Sequence, residues 1–263
     1  MPPELAAGSF YENQTHSLSP DKLQSDFAPV RFERELRIFR RHCRGGDVLD
    51  VGCSTGVFLF QLKVRWPDAY SVLGTDLASA ALDHAESRGV PVRRQPFLDF
   101  DIGERAFDAL TFWAVMEHLP DPKGFLRQAG ALLKPGGCCF LLVPNFNSLA
   151  VRLLGRKYRY VMPDHLNYFT AETFKRFAGT QRDLQIVEGG STHFNPVVIL
   201  QDFRGGEERV PDAERARLLK RTTAWKQTGW LAPVKALYAG VERALGSMNL
   251  ADNLFLVLRK RGA

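Results

Sequence analysis

Long apolar runs are missing from this 263-residue chain: the longest, Cys138 to Val143, is six residues, whereas a bilayer-crossing helix needs about twenty. No membrane span is expected. The opening Met1-Pro2-Pro3-Glu4-Leu5 has neither a basic start nor an apolar stretch, so no secretory leader is expected and the cytoplasm is the expected location. Cysteine is scarce. The four cysteines, at 43, 53, 138 and 139, form no C-x-x-C pair, which points to reduced thiols and against disulfides or a zinc site, so no metal is expected. Internal repeats and low-complexity tracts are also absent, which excludes solenoids and fibrous classes.

What is present is ordinary globular composition, 45% hydrophobic, at a length that suits one core with additions. The net charge is +6. Arg and Lys are scattered, and the densest stretch, 204–243, carries nine of them against five acids. This reads as a mildly basic surface; an anionic substrate stays open, and nucleic acid is not the expected partner.

Hydrophobic periodicity maps the chain. Residues 1 to 30 are polar and proline-punctuated; Phe32, Leu36, Phe39 and Cys43 then recur at helical spacing before Gly45-Gly46. A helix after Gly56 stops at Pro67, another capped by Ser79 ends at Gly89, and a third starts with Asp121 as cap and Pro122 at its first position. Strands are expected at 48–51, 71–76, 107–112 and 138–143 between these helices. Such alternation implies a parallel sheet with helices on both faces. Leu184 to Val187 and Leu254 to Leu258 read as further strands, with a helical insertion between them.

The densest information lies in Val48-Leu49-Asp50-Val51-Gly52-Cys53-Ser54-Thr55-Gly56-Val57. It reads as a buried strand, a tight turn and a helix start, the junction where backbone meets a nucleotide-like ligand. Gly52 and Gly56 leave room for that ligand because they lack a Cβ. The dinucleotide spacing G-x-G-x-x-G is absent. Asp50-Val51-Gly52-Cys53-Ser54-Thr55-Gly56 instead resembles the first motif of class I S-adenosylmethionine-dependent methyltransferases. The resemblance continues in register through Gly74-Thr75-Asp76-Leu77, Phe107 to Phe112, Glu117 to Pro122 and Leu132 to Gly137. Ser54 departs from the motif where many relatives carry a third glycine.

The resemblance implies an α/β Rossmann-like sheet of seven mostly parallel strands with helices on both faces, closed by an antiparallel hairpin whose last strand slips between its two predecessors. It implies one methyltransferase domain, with an N-terminal helical extension (1–46), a cofactor-binding core (47–194), a helical cap or insertion (195–250) and the last strand (251–263). The expected cofactor is S-adenosyl-L-methionine, leaving as S-adenosyl-L-homocysteine. Gly52, Cys53, Ser54 and Gly56 are expected at its methionyl and ribose portions, Asp50 at the ammonium group, Asp76 at the ribose diol, Leu77 at the adenine and Asp99 at the adenine amino group, with Ala114 also in contact. Each carboxylate has an alternative as a solvated turn acid.

His118, just after the fourth strand, and His165, after the fifth, are the candidate catalytic bases, since an imidazole titrates near neutrality. Either alternatively holds a loop. His165 lies in Pro163-Asp164-His165-Leu166-Asn167-Tyr168-Phe169, which resembles the P-x-H-L-x-x-F signature of small-molecule methyltransferases related to quinone-biosynthesis O-methyltransferases. Phe10, Tyr11, Trp113, Phe146, Tyr158, Tyr160, Tyr168 and Phe194 are candidates for an aromatic pocket wall, or for core packing. The insertion reads as a lid, a dimer face or a membrane-surface helix, and a homodimer is left open. The expectation is methyl transfer to a small organic acceptor, foremost at a hydroxyl oxygen. Nitrogen or carbon acceptors, RNA, and a non-catalytic cofactor-binding role are the alternatives. No N-P-P-Y-type tetrapeptide follows the fourth strand, which removes one nucleic-acid branch.

Overall fold

The computed structural model describes residues 27, 32–100, 106–158, 160–162, 164–204 and 232–262. The first helix, α1 (Glu33–His42), has acids in its first turn and Arg40, Arg41 and His42 in its last, the arrangement that complements the helix dipole. Strands β1 (Gly46–Val51), β2 (Tyr70–Thr75), β3 (Val92–Arg93) and β4 (Phe107–Trp113) alternate with α2 (Val57–Arg65) and α3 (Ser79–Ser87). Helix α4 (Pro122–Leu132) leads into β5 (Leu133–Pro144), followed by α5 (Leu149–Leu154) and α6 (Ala171–Ala178). Strand β6 (Leu184–Thr192), α7 (Pro196–Arg204), α8 (Ala232–Ser247) and β7 (Asn253–Lys260) complete the described elements.

The seven strands form one sheet in the order β3-β2-β1-β4-β5-β7-β6. Pairings from β3 through β5 are parallel, and β7 runs antiparallel between β5 and β6, as the resemblance implies. Strand residues alternate between two cores. Leu49, Val51, Leu110, Phe112 and Leu141 pack with α4 and α6 on one face. Val48, Ala109 and Phe140 pack with α1, α2 and α3 on the other, where Phe39 of α1 meets Phe140 with tilted rings (4.8 Å) and Phe58 edge-on (5.4 Å).

Two boundaries differ from expectation. Ser79 is the first residue of α3 and not its cap; the cap position is Ala78, whose N–H donates to Asp76 Oδ1 (3.0 Å). Strand β5 begins at Leu133 and not at Cys138, because the register shifts between Phe107 and Ala109 and lets Lys134 to Gly137 run on as a bulged strand. A Cβ on Gly137 would stand 2.9–3.1 Å from three backbone carbonyl oxygens, so the bulge demands glycine there. The cap at Asp121 forms as expected, accepting from the N–H of Gly124, and Thr170 caps α6 by accepting from the N–H of Thr173.

Of the insertion, α7 and α8 are described, and α8 lies against β6: Ser191 Oγ donates to the Gly246 carbonyl (3.2 Å) and Phe194 N–H to Glu242 (3.1 Å). Arg34 of α1 pairs with the same Glu242. Among the described residues no helix is long and apolar enough to cross a membrane. Phe10, Tyr11 and the centre of the insertion, including Trp225 and Trp230, lie outside the described residues.

Candidate functional site

The site is built at the carboxyl ends of β1, β2 and β4, starting with the turn after β1. Gly52, Ser54 and Gly56 all adopt left-handed backbone (φ 71, 49 and 72). The conformation is free for glycine and costs a serine about 1 kcal/mol or more. Hydrogen bonds offset that strain: Gly52 and Cys53 both donate to the Thr75 carbonyl (2.8 and 3.1 Å), and Ser54 N–H donates to Asp76 Oδ2 (2.8 Å). A Cβ at Gly52 would stand 2.7 Å from Val115 Cγ2. The turn is therefore clamped between β2 and the segment after β4, with Gly56 opening α2.

Asp50 is 3% exposed and accepts from Thr111 Oγ1 (2.6 Å). Burial, helped by the charge of Asp76 and opposed by the Thr111 hydroxyl, pushes its pKa up to about 7. A buried carboxylate this reluctant to ionise favours a cationic partner. Asp76 is half-buried, and its two oxygens accept from Ser54 and Ala78. Leu77 is exposed, as is Leu98 in the 3-10 turn Phe97–Asp99, so apolar surface faces outward after both β2 and β3. Asp99 is exposed in that same turn, which Gln95 Nε2 fixes by donating to the Asp99 carbonyl. Ala114 is exposed and left-handed (φ 59), held by its N–H to the Leu142 carbonyl (2.9 Å).

Sequence separation hides the second half of the site. His118 ends the 3-10 turn Met116–His118, and His165 lies in the loop between α5 and α6, yet their rings meet edge-on at 4.7 Å. Backbone clamps bring them together: Leu166 and Asn167 N–H both donate to the Glu117 carbonyl (2.7 and 2.9 Å). Asn167 Nδ2 donates to the carbonyls of Met116 and Leu119 (3.0 and 2.7 Å). His118 Nδ1 lies 3.0 Å from the Asp164 carbonyl. A carbonyl only accepts, so Nδ1 carries the hydrogen and Nε2 the lone pair. Burial lowers the His118 pKa against the opposing pull of Asp164, which keeps the ring neutral. Glu117 is 1% exposed and burial pushes its pKa up to about 8. Ligating atoms of Glu117, His118 and His165 all lie within 4.8 Å of one another.

Glu117, Asp164, Asn167 and Thr111 are parts of this arrangement that the sequence did not single out. Glu117 stood in plain view beside His118; its burial did not.

The expected aromatic wall divides. Phe146 and Tyr168 pack together (4.9 Å) next to His165, but Trp113 packs into the α1 face against Phe58 (5.1 Å). Phe194 joins Leu149, Leu154, Ile199, Leu200 and Phe203 around an apolar cavity of about 350 Å³ between α5 and α7. His193 pairs with Glu35 of α1 (2.6 Å). All four cysteines are buried free thiols, and burial raises the pKa of Cys43 to about 11 and that of Cys53 well above the ordinary thiol value, so neither suits nucleophilic work.

The chain is 34% identical over 149 residues to the ubiquinone biosynthesis O-methyltransferase of Chromobacterium violaceum, covering 52% of this chain and 63% of that protein. The match thus spans less than two thirds of that relative. Among solved structures, the N-methyltransferase NodS of Bradyrhizobium japonicum in complex with S-adenosyl-L-homocysteine is 15% identical, with a TM-score of 0.53 over 92% of this chain and 93% of that one. The [4+2]-cyclase SpnF shares the fold at 17% identity and a TM-score of 0.56, over 88% of this chain and 81% of that one, so the fold by itself does not name a reaction. The methyltransferase domain family matches residues 27–188, more than half of the chain, and with the glycine turn, the two strand-end acids and the E-H motif all in place the chain belongs to that family.

Proposed function

We propose that this protein is an S-adenosylmethionine-dependent methyltransferase acting on the hydroxyl oxygen of a small organic acceptor that has an apolar portion. The observation that carries the reading is the pair of strand-end acids around the left-handed turn: buried Asp50 for an ammonium group and Asp76 for a ribose diol. A carboxylate whose desolvation is relieved by a cation, a diol-sized acceptor and exposed Leu77 and Leu98 fit the three chemically distinct parts of that cofactor.

The cofactor supplies an electrophilic methyl on a positively charged sulfur. What the protein must then do is align an oxygen in line with it and exclude water. His118 and His165, ring against ring and largely buried, are imidazoles able to take a proton from a hydroxyl, which supports oxygen as the acceptor atom. An open apolar groove between α5 and α7 is the surface we assign to the apolar part of the acceptor. The relative's name as an O-methyltransferase of ubiquinone biosynthesis points the same way. Four buried thiols and no apolar helix long enough to span a membrane among the described residues fit work in the cytoplasm.

The test replaces His118 and His165 separately with Ala and compares turnover with the affinity for S-adenosyl-L-homocysteine. Turnover should fall by roughly a hundredfold or more, the range for a group that handles the acceptor proton, with affinity retained. Normal turnover in both variants removes both residues from the chemistry.

A further inference from the structure

Ser54 departs from the glycine pattern of the first motif, and it is held against its own conformational preference. Its backbone is left-handed at φ 49, which glycine adopts freely and a serine does not. It is the first central residue of a tight turn closed by the Gly56 N–H donating to the Cys53 carbonyl (2.9 Å). A positive φ at that position is ordinarily left to Gly, Asn or Asp. The bonding inside the protein does not call for a serine. Its N–H donates to Asp76 Oδ2 (2.8 Å), a bond that a glycine would make equally well. Its side chain is half-buried, and the Oγ makes no hydrogen bond among the described residues. A strained residue whose hydroxyl bonds nothing in its own chain points to a ligand contact.

The donors around that hydroxyl are largely committed elsewhere. The N–H groups of Gly52 and Cys53 both go to the Thr75 carbonyl (2.8 and 3.1 Å), that of Ser54 to Asp76 and that of Gly56 to the Cys53 carbonyl. The strand-end side chains, Asp50 and Asp76, are acids that accept from an ammonium or a diol and repel an anion. The carboxylate of the cofactor's amino-acid tail is therefore the one charged group that neither acid can meet. We propose that the Ser54 hydroxyl donates to this carboxylate. The protein then reads the tail with a side chain, at a position where the motif ordinarily offers bare backbone, and tells the full cofactor from nucleosides that lack the tail.

This inference rests on the methyl-transfer reading for the identity of the ligand. Its consequence is an opposition between stability and binding at one residue. Glycine at 54 relieves the left-handed strain, and that gain exceeds the freedom glycine adds to the unfolded chain. Alanine at 54 keeps the strain. Both remove the hydroxyl, so both lose the tail contact, and the variant with the motif's own glycine is the more stable protein and the weaker binder.

The experiment titrates the full chain and its Ser54→Gly and Ser54→Ala variants with S-adenosyl-L-homocysteine and with 5′-methylthioadenosine by calorimetry, beside a thermal melt of each protein. The second ligand keeps the nucleoside and the thioether and lacks the amino-acid tail. Both variants should bind S-adenosyl-L-homocysteine about tenfold or more weakly, the scale of a hydrogen bond to a charged group. Their affinity for 5′-methylthioadenosine should match that of the wild type, and Ser54→Gly should melt above both other proteins. Wild-type affinity for S-adenosyl-L-homocysteine in Ser54→Gly overturns the contact, and equal losses for the two ligands overturn its assignment to the tail. A wild-type protein that binds neither ligand sinks the methyl-transfer reading itself, an outcome distinct from wild-type binding that the variants share.

Discussion

Ser54 N–H donates to Asp76 Oδ2 at 2.8 Å, so the acid at the end of β2 holds the glycine turn that follows β1. Its other oxygen accepts from Ala78 at the start of α3. Asp76 is thus a structural anchor as well as the candidate ribose ligand, and Asp76→Ala should show both roles. Hydrogen bonds to a charged group are worth about 1.5–3 kcal/mol, so losing those to a diol predicts a fall in S-adenosyl-L-homocysteine affinity on the order of a hundredfold or more by calorimetry. The melting temperature should drop too, because two backbone N–H groups lose their acceptor. Unaltered affinity would remove the ribose assignment.

Asp50 makes the cofactor site sensitive to pH. Its pKa of about 7 in the ligand-free protein, raised chiefly by burial, leaves it protonated at lower pH, whereas an ammonium partner requires the carboxylate. Cofactor affinity should therefore fall as pH drops below about 7, approaching tenfold per unit from this group. For folding the sign is opposite to that of a salt-bridged acid. The raised pKa favours the folded state fully below the unfolded carboxylate value of about 3.9, and this contribution is lost as pH rises toward 7. Affinity for S-adenosyl-L-homocysteine measured from pH 8 to 6 in the wild type and in Asp50→Asn tests it: the variant should bind more weakly at pH 8 and lose the slope.

Gly52→Ala places a Cβ 2.7 Å from Val115 Cγ2 and forces a side chain into φ +71. The strain of the left-handed conformation alone is about 1 kcal/mol, and the overlap adds to it. The variant should melt earlier and bind cofactor less well. Adding Val115→Ala should recover the steric part and leave the conformational part, which a double-mutant cycle on melting separates. Independent effects would show that Val115 does not confine the turn.

The alternation of strand and helix was readable because hydrophobic period changes at each boundary, and the glycine turn because its residues carry their own geometry. The hairpin order followed from the family resemblance. Strand β3, two residues long, leaves no periodicity to detect. The early start of β5 was hidden because Lys134-Pro135-Gly136-Gly137 has turn composition, and only the bulge opposite Phe107 makes it a strand. The meeting of His118 with His165 depends on Asn167 clamping two segments far apart in sequence. Trp113 reads as a pocket residue because it ends β4, but strand alternation turns it toward α2, against Phe58 and Phe140.

Phe39 ties α1 to the sheet: it is fully buried and meets Phe58, Tyr70 and Phe140. Phe39→Ala should cost about 3–5 kcal/mol by leaving a cavity the rings cannot close. Denaturant unfolding measures it; a loss below about 1 kcal/mol, one buried methylene's worth, would mean that α1 contributes little to the core.

The central claim is that the two strand-end acids and the turn between them form an S-adenosylmethionine site. Calorimetric titration of the purified protein with S-adenosyl-L-methionine, S-adenosyl-L-homocysteine and NAD in parallel tests it most directly. Micromolar binding of the first two with none of NAD is the predicted result; binding of NAD, or of none of the three, would contradict it.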